Sequence, residues 1–352
     1  MTKGKAVVVG GIGIIGRNTI QALEADGGWE IIGLSRRSPP FDTTAQFISV
    51  DLLDETDARA KLTGLTDVTH IFYMALTGGL GGENVEDNLA LVRNSVGVIA
   101  PIAPNLQRVV LTQGGKYYGV HLGPHKSPSR ENDPRHLPPD FYYNQQDYIA
   151  ELQKGQSWHY TCLRPEAVIG YAEGIPLNTA SLVALYAVIC KELGVPLNYP
   201  GPEAGFKALN KFIDARLLGR CEVWAATEPT AAGEAFNITN ASAMRWCNLW
   251  PVFTEYFGCE PGVILPISLE SFMADKEPVW DDIVRKYQLK KQSFSDFGVW
   301  SFADWFFGRT WDTILEDTKR LQFGFTGAID TEQNFIEIFD QMRAERVIPA
   351  SG

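Results

Sequence analysis

A lysine and a tyrosine stand where this chain could do chemistry on an oxygen atom. Lys116 lies in Thr112-Gln113-Gly114-Gly115-Lys116-Tyr117-Tyr118-Gly119, a glycine-broken stretch that follows the apolar run Arg108-Val109-Val110-Leu111. Tyr143 lies in Asp140-Phe141-Tyr142-Tyr143-Asn144-Gln145-Gln146-Asp147, which opens a helix-forming segment. An ammonium and a phenolic hydroxyl aimed at one oxygen would stabilise negative charge growing there during a reaction. Proton abstraction by Tyr143 is less favoured. A free tyrosine has a pKa of about 10, and Asp147, one turn further on, is an anion that disfavours the phenolate. The plainer alternative is a solvated loop lysine beside a core aromatic.

A second set of residues could hold a phosphate-bearing group. After Val7-Val8-Val9 come Gly10, Gly11, Ile12, Gly13, Ile14, Ile15 and Gly16, a GxxGxxG spacing between a strand-like run and a helix-like one. Glycines at that junction allow a tight turn, close backbone approach to a pyrophosphate and close helix–strand packing, while helix-start N–H groups face the anion. The next apolar run, residues 30–34, ends in Ser35-Arg36-Arg37. An acidic residue there would bond the ribose hydroxyls of NAD. Paired arginines instead offer planar contacts to a 2′-phosphate, so NADPH is the expected cofactor and a solvated basic turn the alternative.

The elements needed to position these groups can be read in order. Strands are expected at residues 6–9, 30–34, 46–50, 70–75, 108–111 and 160–165, alternating with helices, which predicts a Rossmann-like doubly wound parallel sheet of the α/β class. In such sheets ligands lie at the C-terminal strand edge. That edge would bring Asp51 and Leu52 to the adenine and place Met74 and Ala75, Thr112 and Gln113, and Pro165 and Val168 against the cofactor. The glycine-rich loop at 76–82 would lie along it. Beyond residue 170 the rhythm changes to helices, including a long apolar one at 177–193. The expected division is a core at 1–170 and a smaller, mostly helical substrate-binding lobe at 171–352, with a segment of about 205–240 returning to the core. The run at 294–311 holds eight aromatic rings. Phe302 and Phe306 are candidate substrate contacts from it, and an ordinary core helix is the alternative.

Composition narrows the function class. Acidic residues outnumber basic ones, for a net charge of −11, which argues against nucleic acid as a partner. No run is long enough to cross a bilayer, and the chain enters a strand too early for a signal peptide, so a cytoplasmic protein is expected. The five cysteines are widely spaced and suggest neither zinc nor disulfides. His121, His125 and His136 lie in a proline-rich loop at irregular spacing, without cysteines, and are read as surface residues. No metal site is expected.

The pattern resembles the extended short-chain dehydrogenases/reductases, which usually carry Tyr-x-x-x-Lys on the helix after strand five; here the lysine position is Asp147 and a lysine stands instead at 116. With that displacement the chain is similar to the progesterone 5β-reductase / iridoid synthase-like family. Further matches are Arg164-Pro165-Glu166-Ala167-Val168-Ile169-Gly170, Ala187-Val188-Ile189-Cys190-Lys191-Glu192-Leu193-Gly194 and Val299-Trp300-Ser301-Phe302-Ala303-Asp304. The resemblance implies NADPH-dependent 1,4-reduction of the C=C bond of a small lipophilic enone or enal, with Tyr143 and Lys116 holding the enolate oxygen. It also implies a homodimer, by analogy with extended reductases. The alternatives are an NADP(H)-dependent carbonyl reductase or alcohol dehydrogenase, and a non-catalytic NADP(H)-sensing protein.

Overall fold

A computed structural model describes residues 3–78, 84–175, 178–291 and 293–350, without the side chains of residues 296 and 297. Most of the glycine loop expected at 76–82, the first residue of the helix expected at 177–193 and the side chain of Phe297 lie outside the described residues.

The first half of the chain runs β1 (Gly4–Val9), α1 (Ile14–Asp26), β2 (Trp29–Ser35), β3 (Gln46–Ser49), α2 (Glu55–Leu62), β4 (His70–Tyr73), α3 (Val85–Arg93), α4 (Val96–Ile99), β5 (Arg108–Thr112), α5 (Phe141–Gln153) and β6 (His159–Pro165). Then follow β7 (Val168–Ile169), α6 (Thr179–Leu193), β8 (Leu197–Tyr199), α7 (Glu203–Lys207), β9 (Leu209–Lys211), β10 (Ile213–Asp214), α8 (Ala215–Thr227), β11 (Ala235–Ile238), β12 (Ala243–Arg245), α9 (Trp246–Phe257) and β13 (Pro261–Ile264).

The chain divides into two units. The first comprises Met1–Glu166, Ala215–Thr239 and Leu315–Gly327. The sequence offers no sign that 315–327 belongs here, and 205–214 belongs to the second unit. The first unit is built on a seven-stranded sheet in the order β11-β6-β5-β4-β1-β2-β3. All its neighbours pair in parallel. Residues Ala6 to Val9 are wholly buried with no alternation, as expected for a strand covered on both faces. The strand order reverses about β1 and β4, and such a switch point is where a doubly wound sheet opens a crevice for ligand. Helix starts are set by side chains: Asp54 caps α2, Asn84 caps α3 and Asp140 caps α5, each accepting from backbone N–H groups of the first turn.

The second unit comprises Ala167–Asp214, Asn240–Ile314 and Ala328–Gly352. Its centre is α6, buried over most of its circumference, capped by Asn178 and ended by Gly194. Aromatic rings from α9, from Trp300–Gly308 and from Thr331–Ala344 pack as edge-on and tilted pairs, such as Trp246 with Phe307 at 5.2 Å and Phe253 with Phe335 at 5.1 Å. Among the described residues no helix is long and apolar enough to cross a membrane.

One buried acid in the first unit has a cost that depends on pH. Glu222 on α8 is fully buried, its Oε1 accepts from the Thr112 hydroxyl, and its Oε2 has no hydrogen-bond partner among the described residues. Burial pushes its carboxyl up to about 8, against the Thr112 bond that pulls it down. Between the unfolded value and 8 the folded chain therefore holds a proton that the unfolded chain has lost, so stability falls as pH rises through that window. Glu222→Gln mimics the protonated acid. Its stability relative to the wild type should grow between pH 5 and 8 by on the order of a few kcal/mol. Urea midpoints at those two values test this, and a constant difference would refute it.

Candidate active site

The glycine turn fits a dinucleotide by its shape. A β-carbon added at Gly16 would strike the Gly10 carbonyl oxygen and lie 2.8 Å from Gly11 Cα. Gly10 itself has φ +90°. A β-carbon there would come 3.2 Å from the Ala75 backbone nitrogen at the end of β4. Residues at the glycine positions must therefore lack side chains. Helix α1 starts immediately after, at Ile14, with Gly13 at its N-cap and no side chain bonding its first turn. Its end N–H groups remain directed at an incoming anion.

At the C-terminal end of β2, Arg36 and Arg37 are exposed. Neither forms an ion pair among the described residues. The Arg37 N–H donates to Ser35 Oγ at 3.1 Å, which curls the turn over the strand end. Asp51 Oδ1 accepts from Leu53 N–H at 3.0 Å, while Leu52 is buried and its carbonyl accepts from Asn94. Met74 and Ala75 leave β4 half-buried. These groups all lie on one strand edge. Thr112 instead turns its hydroxyl onto Glu222. Gln113 is a buried tie: Arg164 Nε donates to its Oε1 at 2.9 Å, and its Nε2 donates to the Tyr142 carbonyl and to Gln146 Oε1. Pro165 ends β6, and Val168 falls in the second unit.

Lys116 sits half-buried in the single helical turn Gly115–Tyr118 that follows β5. Tyr143, expected beside it as the hydroxyl donor, already has two hydrogen-bond partners. Its hydroxyl donates to the Tyr117 carbonyl at 2.6 Å and accepts from His136 N–H at 3.0 Å. It is 6% exposed, and burial pushes it up to about 12. The hydroxyl that reaches the β5 edge belongs to Tyr142. A β-carbon added at Gly114 would lie only 3.0 Å from the Tyr142 hydroxyl oxygen. Adjacent helical residues point about 100° apart, so the two hydroxyls face different neighbours. Counting back four residues from Asp147 points to Tyr143, whereas Gly114, with no side chain, leaves room for the Tyr142 hydroxyl. Asp147 is drawn outward into a two-point ion pair with Arg135, at 2.7 and 2.8 Å.

The remaining expectations divide. Phe302 is partly exposed. Phe306 is 3% exposed and packs 6.0 Å from both Phe212 and Trp246, a core ring of the second unit. A cavity of about 800 Å³ in the first unit is lined by Tyr117, Arg130, Glu131, Arg164, Glu316 and Lys319 among others. Charges of both signs suit no lipophilic enone, and neither Lys116 nor Tyr142 lines it. The loop histidines do not all stay apart: His121 and His136 come together with Asp140.

The family model described as a PRISE-like Rossmann-fold domain matches residues 45–349. The chain belongs to the PRISE family. Its PRISE relatives include an (S)-8-oxocitronellyl enol synthase of Nepeta racemosa, 34% identical over 98% of this chain and 93% of that protein. A 3-oxo-Delta(4,5)-steroid 5-beta-reductase of Arabidopsis thaliana is likewise 34% identical, over 98% and 93%. Among solved structures, the UDP-glucose 4-epimerase of Thermus thermophilus aligns with a TM-score of 0.66 at 15% identity, covering 96% of this chain and 99% of that one. That of Thermotoga maritima aligns at 0.67 and 17%, covering 97% and 99%. These epimerases share the fold.

Tyr143→Phe separates the two tyrosines in this PRISE chain. It removes the bonds to Tyr117 and His136, and should lower stability by about 1–2 kcal/mol while leaving enone turnover within about tenfold. A loss of turnover greater than about a hundredfold, in a variant that still folds, would return the donor role to Tyr143.

Proposed function

We propose that the protein reduces the C=C bond of small lipophilic α,β-unsaturated carbonyl compounds by conjugate addition, with Tyr142 and Lys116 holding the carbonyl oxygen. The observation that carries this is the Tyr142 hydroxyl lying over Gly114. It stands at the end of β5 beside the turn bearing Lys116, in a chain whose PRISE relatives are named as a steroid 5-beta-reductase and an oxocitronellyl enol synthase. The cofactor is NADPH, which supplies the hydride. The Gly10–Gly16 turn and the start of α1 hold its pyrophosphate, and Arg36 and Arg37 its 2′-phosphate.

Each residue's part follows from where charge moves. As hydride adds to the β-carbon, negative charge grows on the carbonyl oxygen. The Tyr142 hydroxyl donates a hydrogen bond to that oxygen, and Lys116 adds positive potential. Both stabilise charge that exists only late in the reaction, so they accelerate the step rather than merely bind substrate. The α-carbon can take its proton from water, so no side chain need act as a strong acid. Carbonyl reduction would instead require proton transfer to oxygen by a tyrosine whose pKa a neighbouring cation lowers. The helical position that supplies that cation in the extended reductases is here Asp147, paired with Arg135.

Cyclohexenone with NADPH should yield the saturated ketone, identified by chromatography; an allylic alcohol would overturn the reading in favour of carbonyl reduction. Tyr142→Phe and Lys116→Met should each lower kcat by about a hundredfold to a thousandfold. Full turnover in both variants would remove them from the mechanism.

Arg36→Ala and Arg37→Ala should raise KM for NADPH by roughly tenfold or more and leave KM for NADH unchanged, since a charge-assisted hydrogen bond is worth about 1.5–3 kcal/mol. Equal effects on the two cofactors would show that neither arginine holds the phosphate.

A further inference from the structure

We infer that His121, His136 and Asp140 form a binding site for one divalent transition-metal ion of the zinc type, separate from the reductase chemistry above. Side-chain ligand atoms of the three all lie within 4.8 Å of one another. His136 Nε2 is 3.2 Å from Asp140 Oδ2. Two ligands on one tetrahedral zinc, with bonds of about 2.0–2.1 Å, stand roughly 3.3 Å apart, so this pair already has the separation of a bound edge. The ring of His121 lies 5.5 Å from that of His136, centroid to centroid, and offers a ring nitrogen within 4.8 Å of both other ligand atoms.

A second observation points to a cation at the same place. His136 Nδ1 lies 2.7 Å from the Leu137 carbonyl oxygen, while Nε2 lies 2.9 Å from the Lys116 carbonyl oxygen and 3.2 Å from Asp140 Oδ2. All three neighbours are acceptors, and a neutral imidazole has one N–H. With that hydrogen on Nδ1 and bonded to Leu137, as metal-ligating histidines commonly bond their second nitrogen to a carbonyl, Nε2 turns a lone pair toward two oxygens. A cation there makes the contacts attractive. Asp140 is 4% exposed and held by its other oxygen, Oδ1, which accepts from Tyr142 N–H at 2.8 Å. Two nitrogens and one carboxylate oxygen, with water completing the shell, suit zinc or cobalt better than calcium or magnesium.

The test uses full-length protein stripped with a chelator and titrated with zinc chloride by calorimetry at neutral pH, with cobalt chloride as a spectroscopic probe. One ion should bind per chain, and the cobalt form should show visible ligand-field absorption. His121→Gln and His136→Gln should each weaken binding at least tenfold, and His125→Gln, in the same loop but outside the cluster, should not. Because His136→Gln removes a contact to the Lys116 turn, the decisive variant is His121→Gln: zinc should raise the melting temperature of the wild type and not of this variant. Absence of zinc binding would overturn the proposal. Binding that survives His121→Gln unchanged would overturn it equally, by moving the ion elsewhere. Neither result bears on enone reduction, which is measured separately.

Discussion

The turn after β5, which carries Lys116, is held in place by a network of hydrogen bonds around a buried guanidinium. Tyr143 closes on the Tyr117 carbonyl and the His136 N–H, His136 approaches the Lys116 carbonyl, and Gln113 joins the start of α5 to Arg164 of β6. Arg164 is itself buried, and its guanidinium stands 3.4 Å from the centre of the Tyr117 ring. A buried cation with these partners has few alternative positions, because leaving any of them exposes an uncompensated charge or carbonyl to an apolar surround. The backbone that carries Lys116 is thus fixed by hydrogen bonds from two sides. Preorganisation of that kind makes charge stabilisation effective at the moment of reaction.

The fold was legible because its signals are local. The uninterrupted apolar run of Ala6 to Val9, the glycines after it and the recurring strand–helix rhythm each depend on neighbours in sequence, and each appears in the structure near its expected place. Helix α6 begins at Thr179, within two residues of where hydrophobic periodicity puts it. What periodicity cannot report is which unit a late segment joins. Leu315–Gly327 returns to the first unit through contacts such as the Thr239 hydroxyl on Asp317 and Asn237 Nδ2 on the Glu316 carbonyl. Nothing in the composition of 315–327 announces these long-range bonds.

The site was legible in type and less so in detail. A tyrosine on the first turn of α5 and a lysine in the turn after β5 were both evident, but a choice between adjacent tyrosines turns on about 100° of helix rotation. That rotation is set by the Asp140 cap and by the packing of Phe141 and Tyr143 into the interior. Phe306 illustrates the same limit in the second unit: an aromatic on an apolar helix reads alike whether it faces ligand or core, and only its contacts with Phe212 and Trp246 decide. The cluster of His121 with His136 and Asp140 was hidden for a further reason. Its members are brought together by an irregular loop, and ligand spacing carries information only when regular structure relates the positions.

The displaced lysine then has a physical logic. With Asp147 at the helical position one turn past Tyr143, an unpaired carboxylate would oppose ionisation of nearby phenols and repel an enolate. The pairing with Arg135 cancels most of that charge at the surface, and the same guanidinium lies 4.8 Å from the centre of the Tyr143 ring. Burial nevertheless pushes the Tyr143 phenol up to about 12, against the smaller downward pull of that guanidinium. A hydroxyl that keeps its proton is a poor base and a good hydrogen-bond donor. In the mechanism proposed above, the positive charge that helps the oxygen comes instead from the turn after β5. On that proposal, moving the lysine from helix to turn separates two effects that a Tyr-x-x-x-Lys pair combines: the cation would no longer tune the tyrosine but act on the substrate oxygen directly. That suits a reaction in which charge must be stabilised on oxygen while the proton goes to carbon.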